Sequence, residues 1–141
     1  HLALVYGVAV EFEVVEEEVL IATWLHDVVE DTPVSLEEVR LAFGARVAQL
    51  VDAVTNEPGL NRKARHARTY PKTRAIPSGV LLKLCDRVAN VRYSARDGSR
   101  KNRSLLQMYR REYNGFERAL RRADVVGPEA ALWAELDRLL R

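Results

Sequence analysis

Leu25-His26-Asp27-Val28-Val29-Glu30-Asp31-Thr32 is the stretch on which the reading of this chain turns. On a helix, positions i, i+1, i+4 and i+5 share a broad face. His26, Asp27, Glu30 and Asp31 occupy such a set, so one imidazole and three carboxylates crowd together. Trp24, Leu25, Val28 and Val29 interleave with them, which points to partial burial, and burying unpaired charge is costly. A divalent cation relieves the repulsion, because it accepts imidazole and carboxylate ligands together. The competing reading is an acidic surface helix with an incidental His, and the interleaved apolar residues argue against it.

Working outward, helical signals dominate. A first helix is predicted over residues 1–10. A second covers residues 16–30, with Val19, Leu20, Trp24 and Val28 as an apolar stripe at helical spacing. Thr32-Pro33 ends it. Ser35-Leu36-Glu37-Glu38 has the form of a capping box and opens a third helix, which Gly44 closes. Val47, Leu50, Val51 and Val54 supply the inner face of a fourth. After the turn cluster Asn56-Glu57-Pro58-Gly59 comes a basic fifth helix, residues 61–69, limited by Pro71. Pro77 opens a sixth, to about residue 93, buried through Leu81, Leu84, Cys85 and Val88. A basic seventh spans residues 102–123 and a last one residues 127–140. The fold class is therefore all-α, a bundle of about eight helices.

The length of 141 residues suits one domain, residues 1–141, with a real core. Cys85 is the single cysteine, which excludes an internal disulfide and fits a reducing compartment. No apolar run approaches the roughly 20 residues of a membrane span. The first residues lack the basic region of a signal peptide, so a cytoplasmic location is expected. His1 stands where an initiator Met is absent, and residues are expected ahead of it. The net charge is only +2, but acids predominate over residues 10–38 and bases over residues 61–122. Such a split fits an acidic site for a cation facing a basic surface for an anion; solvated helix faces are the alternative.

The sixth helix carries a second polar face, with Lys83, Asp86, Arg87 and Asn90 at i, i+3, i+4 and i+7. Asp86 is placed to supply a metal ligand from across the core. Lys83, Arg87 and Asn90 are candidates to bind substrate or brace the site; for Arg87 the equal alternative is an ion pair with an acid of the second helix. Arg62, Lys63, Arg65 and Arg68 are candidates for distal phosphates, or else a solvated basic face. His66, among them, reads as a surface residue. The seventh helix carries Arg103, Arg110, Arg111, Arg118, Arg121 and Arg122, but Glu112 and Glu117 interrupt the charge. No nucleic-acid motif is visible, and a small anionic substrate explains the same basicity.

Taken in order, four stretches resemble the hydrolase domain of the RelA/SpoT enzymes and their small stand-alone relatives, within the HD-domain phosphohydrolases. They are residues 24–32, residues 43–55, Leu82-Lys83-Leu84-Cys85-Asp86-Arg87-Val88-Ala89-Asn90-Val91-Arg92, and Met108-Tyr109-Arg110-Arg111-Glu112-Tyr113. The resemblance implies an HD-type bundle and Mn²⁺-dependent hydrolysis of ppGpp and pppGpp to pyrophosphate plus GDP or GTP. It puts the metal ligands on His1, His26, Asp27 and Asp86. It puts the water-handling acids on Glu30 and Asp31, and a contact to ribose and phosphates on Asn90. Leu2 stands where the family usually has Pro, and Ala89 where it often has His. A different phosphoester substrate, or a silent nucleotide-binding regulatory module, are the rival readings. The last helix, with Leu132, Trp133, Leu136, Leu139 and Leu140, is expected to cap the core rather than pair subunits. Oligomeric state is not legible.

Overall fold

The computed structural model describes residues 1–141 and contains nine helices and no strand. They are α1 (Leu2–Glu11), α2 (Glu17–Leu25), α3 (Val28–Asp31), α4 (Leu36–Phe43), α5 (Ala45–Val54), α6 (Arg62–Ala75), α7 (Gly79–Ala95), α8 (Arg100–Leu120) and α9 (Gly127–Leu140). None is long and apolar enough to cross a membrane. The count exceeds the expected eight because the second predicted helix is two, α2 and α3, separated by His26 and Asp27.

The bundle is built around α7. α1, α2, α5, α6, α8 and α9 all pack on it. Its burial therefore extends well beyond the predicted face: Leu81 is only partly covered, while Val80, Leu82, Ala89 and Val91 are buried with Leu84, Cys85 and Val88. A helix covered on several sides shows weak amphipathic patterning, which is why the sequence understated its burial. α9 closes the bundle against α7, with Leu132, Trp133 and Leu136 each 0% exposed, so it caps the core.

Local signals set several boundaries. Ser35 accepts from Glu38 N at 3.2 Å while Glu38 Oε2 accepts from Ser35 N at 2.7 Å, the reciprocal capping box of α4. Gly44, at φ 94°, closes α4 in a region where side chains are strained. Gly79 begins α7 so close to α6 that a Cβ would lie 2.5 Å from Thr73 O.

Two further expectations fail. Pro71 does not limit the fifth predicted helix; it lies inside α6, which continues to Ala75. A proline there costs roughly 3 kcal/mol, and tertiary bonds just beyond it hold the turn. Thr73 Oγ1 donates to Ala53 O at 2.6 Å, and Lys72 Nζ to Glu57 Oε1 at 2.6 Å. Trp24 does not join the buried stripe of α2. It is 46% exposed and lies against Tyr6, with ring centroids 5.6 Å apart.

Candidate active site

The helix is interrupted at the doublet. α2 stops at Leu25, and Asp27 adopts φ −100°, ψ 0°, in the sparsely allowed bridge region where active-site residues recur. Asp31 N donates to Asp27 O at 2.9 Å, so the single turn of α3 restarts from Asp27. The interruption overturns the single continuous face expected for the acidic set. Glu30 lines a cavity of about 260 Å³ together with His1, His26, Asp27 and Asp86. Asp31 lines a neighbouring groove with Leu2, Trp24, Val28 and Thr32. His1 and Asp27 belong to both, so the cavity and the groove adjoin at the cluster.

His26 is the chemically decisive residue. It is 3% exposed, and its Nδ1 lies 2.7 Å from Thr23 O. A carbonyl only accepts, so Nδ1 carries the proton. Nε2 is buried without a hydrogen-bond partner, 3.2 Å from Asp27 Oδ2 and 3.5 Å from Asp86 Oδ1. A neutral ring would aim its lone pair at two carboxylates, which is repulsive unless a proton or a cation sits between them. Burial opposes the charged ring, but Asp27 and Asp86 outweigh it and raise His26 to about 10 when only a proton is available.

The donor set fits a divalent cation. His1 Nε2 lies 3.1 Å from Asp86 Oδ1 and 3.9 Å from Asp27 Oδ2. Ligand atoms about 2.1 Å from one centre sit roughly 3–4 Å from each other; His1, His26 and Asp27 offer atoms all within 4.8 Å of one another, and Asp86 Oδ1 lies 3.1 Å and 3.5 Å from the two imidazole nitrogens. Two imidazole nitrogens and two carboxylates suit a borderline transition metal. Asp86 is held in place from two sides. Asn90 Nδ2 donates to its Oδ1 at 2.8 Å, and Lys83 Nζ to its Oδ2 at 3.3 Å. Burial works against its ionisation, but Lys83, His26 and Arg87 hold its carboxyl well below the usual range. Glu30 is anchored too, accepting from Asn56 N at 2.6 Å through Oε1.

Cations line the same cavity: Arg62, Lys83 and Arg87, together with His66 and Tyr109. Arg87 is 2% exposed, with its guanidinium carbon 4.2 Å from the Phe116 ring centroid and 5.1 Å from that of Tyr109. Its ionic neighbour is Glu112 of α8, 3.6 Å away, and not an acid of the second predicted helix. Arg62 holds Glu112 through Nε at 2.6 Å and Nη2 at 3.2 Å. Of the four basic candidates on α6, only Arg62 reaches the cavity. Arg65 and Arg68 turn back to the carbonyls of Gly59 and Pro58, and Lys63 lines a separate surface depression.

His66 corrects another expectation. It is half-buried, stacked on Tyr70 with centroids 4.8 Å apart, and it lines the cavity. Burial, then the charges of Arg62 and Arg87, push it down to about 4, so it is neutral at pH 7. Its spacing from Arg62 and Tyr70, each four residues away, was the available signal. The expected seventh helix ends at Leu120 rather than residue 123, and just past that end Arg121 is engaged by Glu117 and Asp137, and Arg122 by Arg74 O. Those arginines brace the bundle, which removes part of the basic surface a nucleic acid would need.

Comparison with known proteins supplies relatives. An HD domain model matches residues 2–119. A guanosine-3′,5′-bis(diphosphate) 3′-pyrophosphohydrolase of Aquifex aeolicus is 42% identical over 81 residues, 55% of this chain and 12% of that protein. One from Mus musculus is 44% identical over 77 residues, 52% of this chain and 42% of its own length. The chain spans less than half the length of these curated relatives. A solved structure described as a metazoan ortholog of SpoT that hydrolyzes ppGpp and plays a role in starvation responses has a TM-score of 0.75 at 28% identity, covering 98% of this chain and 79% of that one. A Listeria monocytogenes structure, 24% identical with a TM-score of 0.69 and covering 100% of this chain and 96% of its own, shares the fold.

Proposed function

The chain belongs to the HD-domain family, and from that premise we propose that it is a metal-dependent phosphohydrolase acting on guanosine polyphosphate. On this reading it removes pyrophosphate from the ribose 3′ position of ppGpp or pppGpp, leaving GDP or GTP. The observation that carries it is the buried, unpartnered His26 Nε2 facing Asp27 and Asp86 in a cavity that cations also line. The names of the relatives point to the same substrate class.

His1, His26, Asp27 and Asp86 would hold one divalent cation, with Mn²⁺ first among Mn²⁺, Fe²⁺ and Zn²⁺. The chemistry such a cation supplies when bound is to lower the pKa of water and to draw charge from a phosphoryl oxygen. The remaining work falls to side chains. Glu30, in the cavity, or Asp31, from the groove, accepts the proton of the attacking water and orients it. Oxygen of that water bonds to phosphorus, the bond from phosphorus to the ribose 3′ oxygen breaks, and the leaving oxygen takes up a proton. Lys83 offsets charge developing on the phosphoryl group. Asn90 orients Asp86 and remains open to the ribose from the same cavity. Arg87 contributes as a buried cation that lines the same cavity.

Product analysis tests this directly. The metal-stripped protein is incubated with ppGpp, with and without Mn²⁺, alongside Asp27→Ala. GDP and pyrophosphate that depend on Mn²⁺ and vanish in the variant are expected. Intact Mn²⁺ binding without turnover of ppGpp would reject the substrate and direct attention to other phosphoesters.

A further inference from the structure

We propose that Arg62, His66 and the inner edge of Arg87 form a second anion subsite, in the same cavity as the carboxylates, that receives the outer phosphoryl group of a pyrophosphate ester. The inference rests on the reading above, because it takes the four-ligand cluster as the place where the inner phosphoryl group is attacked.

Three observations converge on this wall. First, Arg87 Nη1 is buried in a residue only 2% exposed and has no hydrogen-bond partner. Glu112 Oε2 lies 3.6 Å from it, too far to satisfy it, although Nη2 reaches the Tyr70 hydroxyl at 3.3 Å. A guanidinium buried purely as a structural brace would have its donors paired, and this one keeps an unpaired N–H in a residue that lines the cavity. Second, Arg62 engages Glu112 with Nε and Nη2 only, leaving Nη1 without a protein partner on the same wall. Glu112 thus aligns two guanidinium groups and offsets one of their two charges, so the pair keeps a net positive charge. Third, His66 stacks on Tyr70 beside them, and burial with the two nearby cations keeps it neutral at pH 7. A neutral imidazole donates an N–H to an anion without adding a third charge to be desolvated. Guanidinium groups with unpaired N–H edges are matched to the several oxygens of a phosphoryl group.

The consequence is selection for chain length at the scissile position. An ester carrying two linked phosphoryl groups spans from the metal cluster to this wall; an ester carrying one reaches the cluster alone. Arg62 and His66 are then specificity-determining residues for the leaving group.

Calorimetry with inorganic pyrophosphate tests the subsite on the full chain, in the metal-stripped and the Mn²⁺-loaded state. Arg62→Ala and His66→Phe are compared with the original protein; phenylalanine keeps the stack on Tyr70 and removes the N–H. Each lost charge-assisted bond is expected to weaken pyrophosphate about ten-fold or more. Melting temperature and Mn²⁺ affinity, measured in parallel, show that both variants are folded with the metal cluster intact. Unchanged pyrophosphate affinity in the two folded variants overturns the proposal, as does absence of pyrophosphate binding to the original chain. Failures are separable: pyrophosphate binding lost in the variants without any ppGpp hydrolysis keeps the subsite and rejects the substrate. Hydrolysis of ppGpp with KM and pyrophosphate affinity unmoved by either variant keeps the substrate and rejects the subsite.

Discussion

Of the three histidines that line one cavity, two stand in opposite chemical states. His26 is driven up to about 10 and His66 down to about 4, although burial pushes both in the same direction. The difference lies in the neighbours: Asp27 and Asp86 for the first, Arg62 and Arg87 for the second. A small cavity with a field of one sign at each end can hold a cation and an anion together, and phosphoryl transfer needs both.

The largest expected effect comes from removing a carboxylate from the His26 side. Asp86→Ala takes away an anion that pairs with His1, His26 and Lys83 at once. Turnover of ppGpp should fall by more than the roughly 10⁴-fold that acid–base catalysis alone accounts for, with Mn²⁺ affinity lost in the same preparation. Retained Mn²⁺ affinity would show that the cluster is not the metal site.

Glu30→Gln should leave Mn²⁺ bound while lowering kcat about 10²–10⁴-fold, because the amide cannot accept the water proton. Asp31→Asn measured beside it decides which flank handles water: the variant with the larger loss in kcat, at unchanged Mn²⁺ affinity, names the cavity or the groove. Equal, negligible losses would remove both acids from the mechanism.

Asn90→Ala sharpens the comparison further. It removes the amide that orients Asp86 at 2.8 Å, and a loss of about 10–100-fold in Mn²⁺ affinity is expected, read by titration. A change in KM for ppGpp without a change in Mn²⁺ affinity would assign Asn90 to the substrate alone.

The smallest effects are in stability against pH, and the two histidines should oppose each other. In metal-stripped protein the folded pKa of His26 is raised above its ordinary 6.5. Its contribution is fully present below pH 6.5 and is lost progressively as the pH rises to and through about 10. The folded pKa of His66 is depressed, so its contribution is present above pH 6.5 and is lost as the pH falls toward and through about 4. Thermal melts across pH should therefore lose their alkaline decline in His26→Asn and part of their acid decline in His66→Phe. Metal binding displaces the proton on His26, so Mn²⁺ affinity should rise with pH and release protons, measurable in buffers of different ionisation heat. A pH-independent affinity would sink the account of His26.

Much of the wall with His26 was legible because its chemistry is concentrated in short spacings. His26 next to Asp27, and Asp86 one turn before Asn90, are visible as residue types that a shared proton or cation draws together. The wall with His66 was not. Arg62, His66 and Arg68 look alike along α6, and only the packing of α6 against α8 turns Arg62 toward Glu112 and leaves Arg68 on Pro58 O. Glu112 read as an interruption of a basic run, whereas in the fold it aligns Arg62 and Arg87.

By itself, then, the sequence determined the all-helical class, the capping box at Ser35, the stop at Gly44, the inner face of α5 and the place of the His26-Asp27 doublet. These depend on periodicity and on bonds closing within a few residues, which local chemistry dictates. Tertiary structure alone decided that the helix breaks at Asp27, that Glu30 and Asp31 of α3 line different pockets, that α6 runs through Pro71, and that His66 lines the cavity. Each of those outcomes sets a local preference against contacts made across the bundle. The packing of α7 with its neighbours buries enough surface to overrule a preference worth a few kcal/mol.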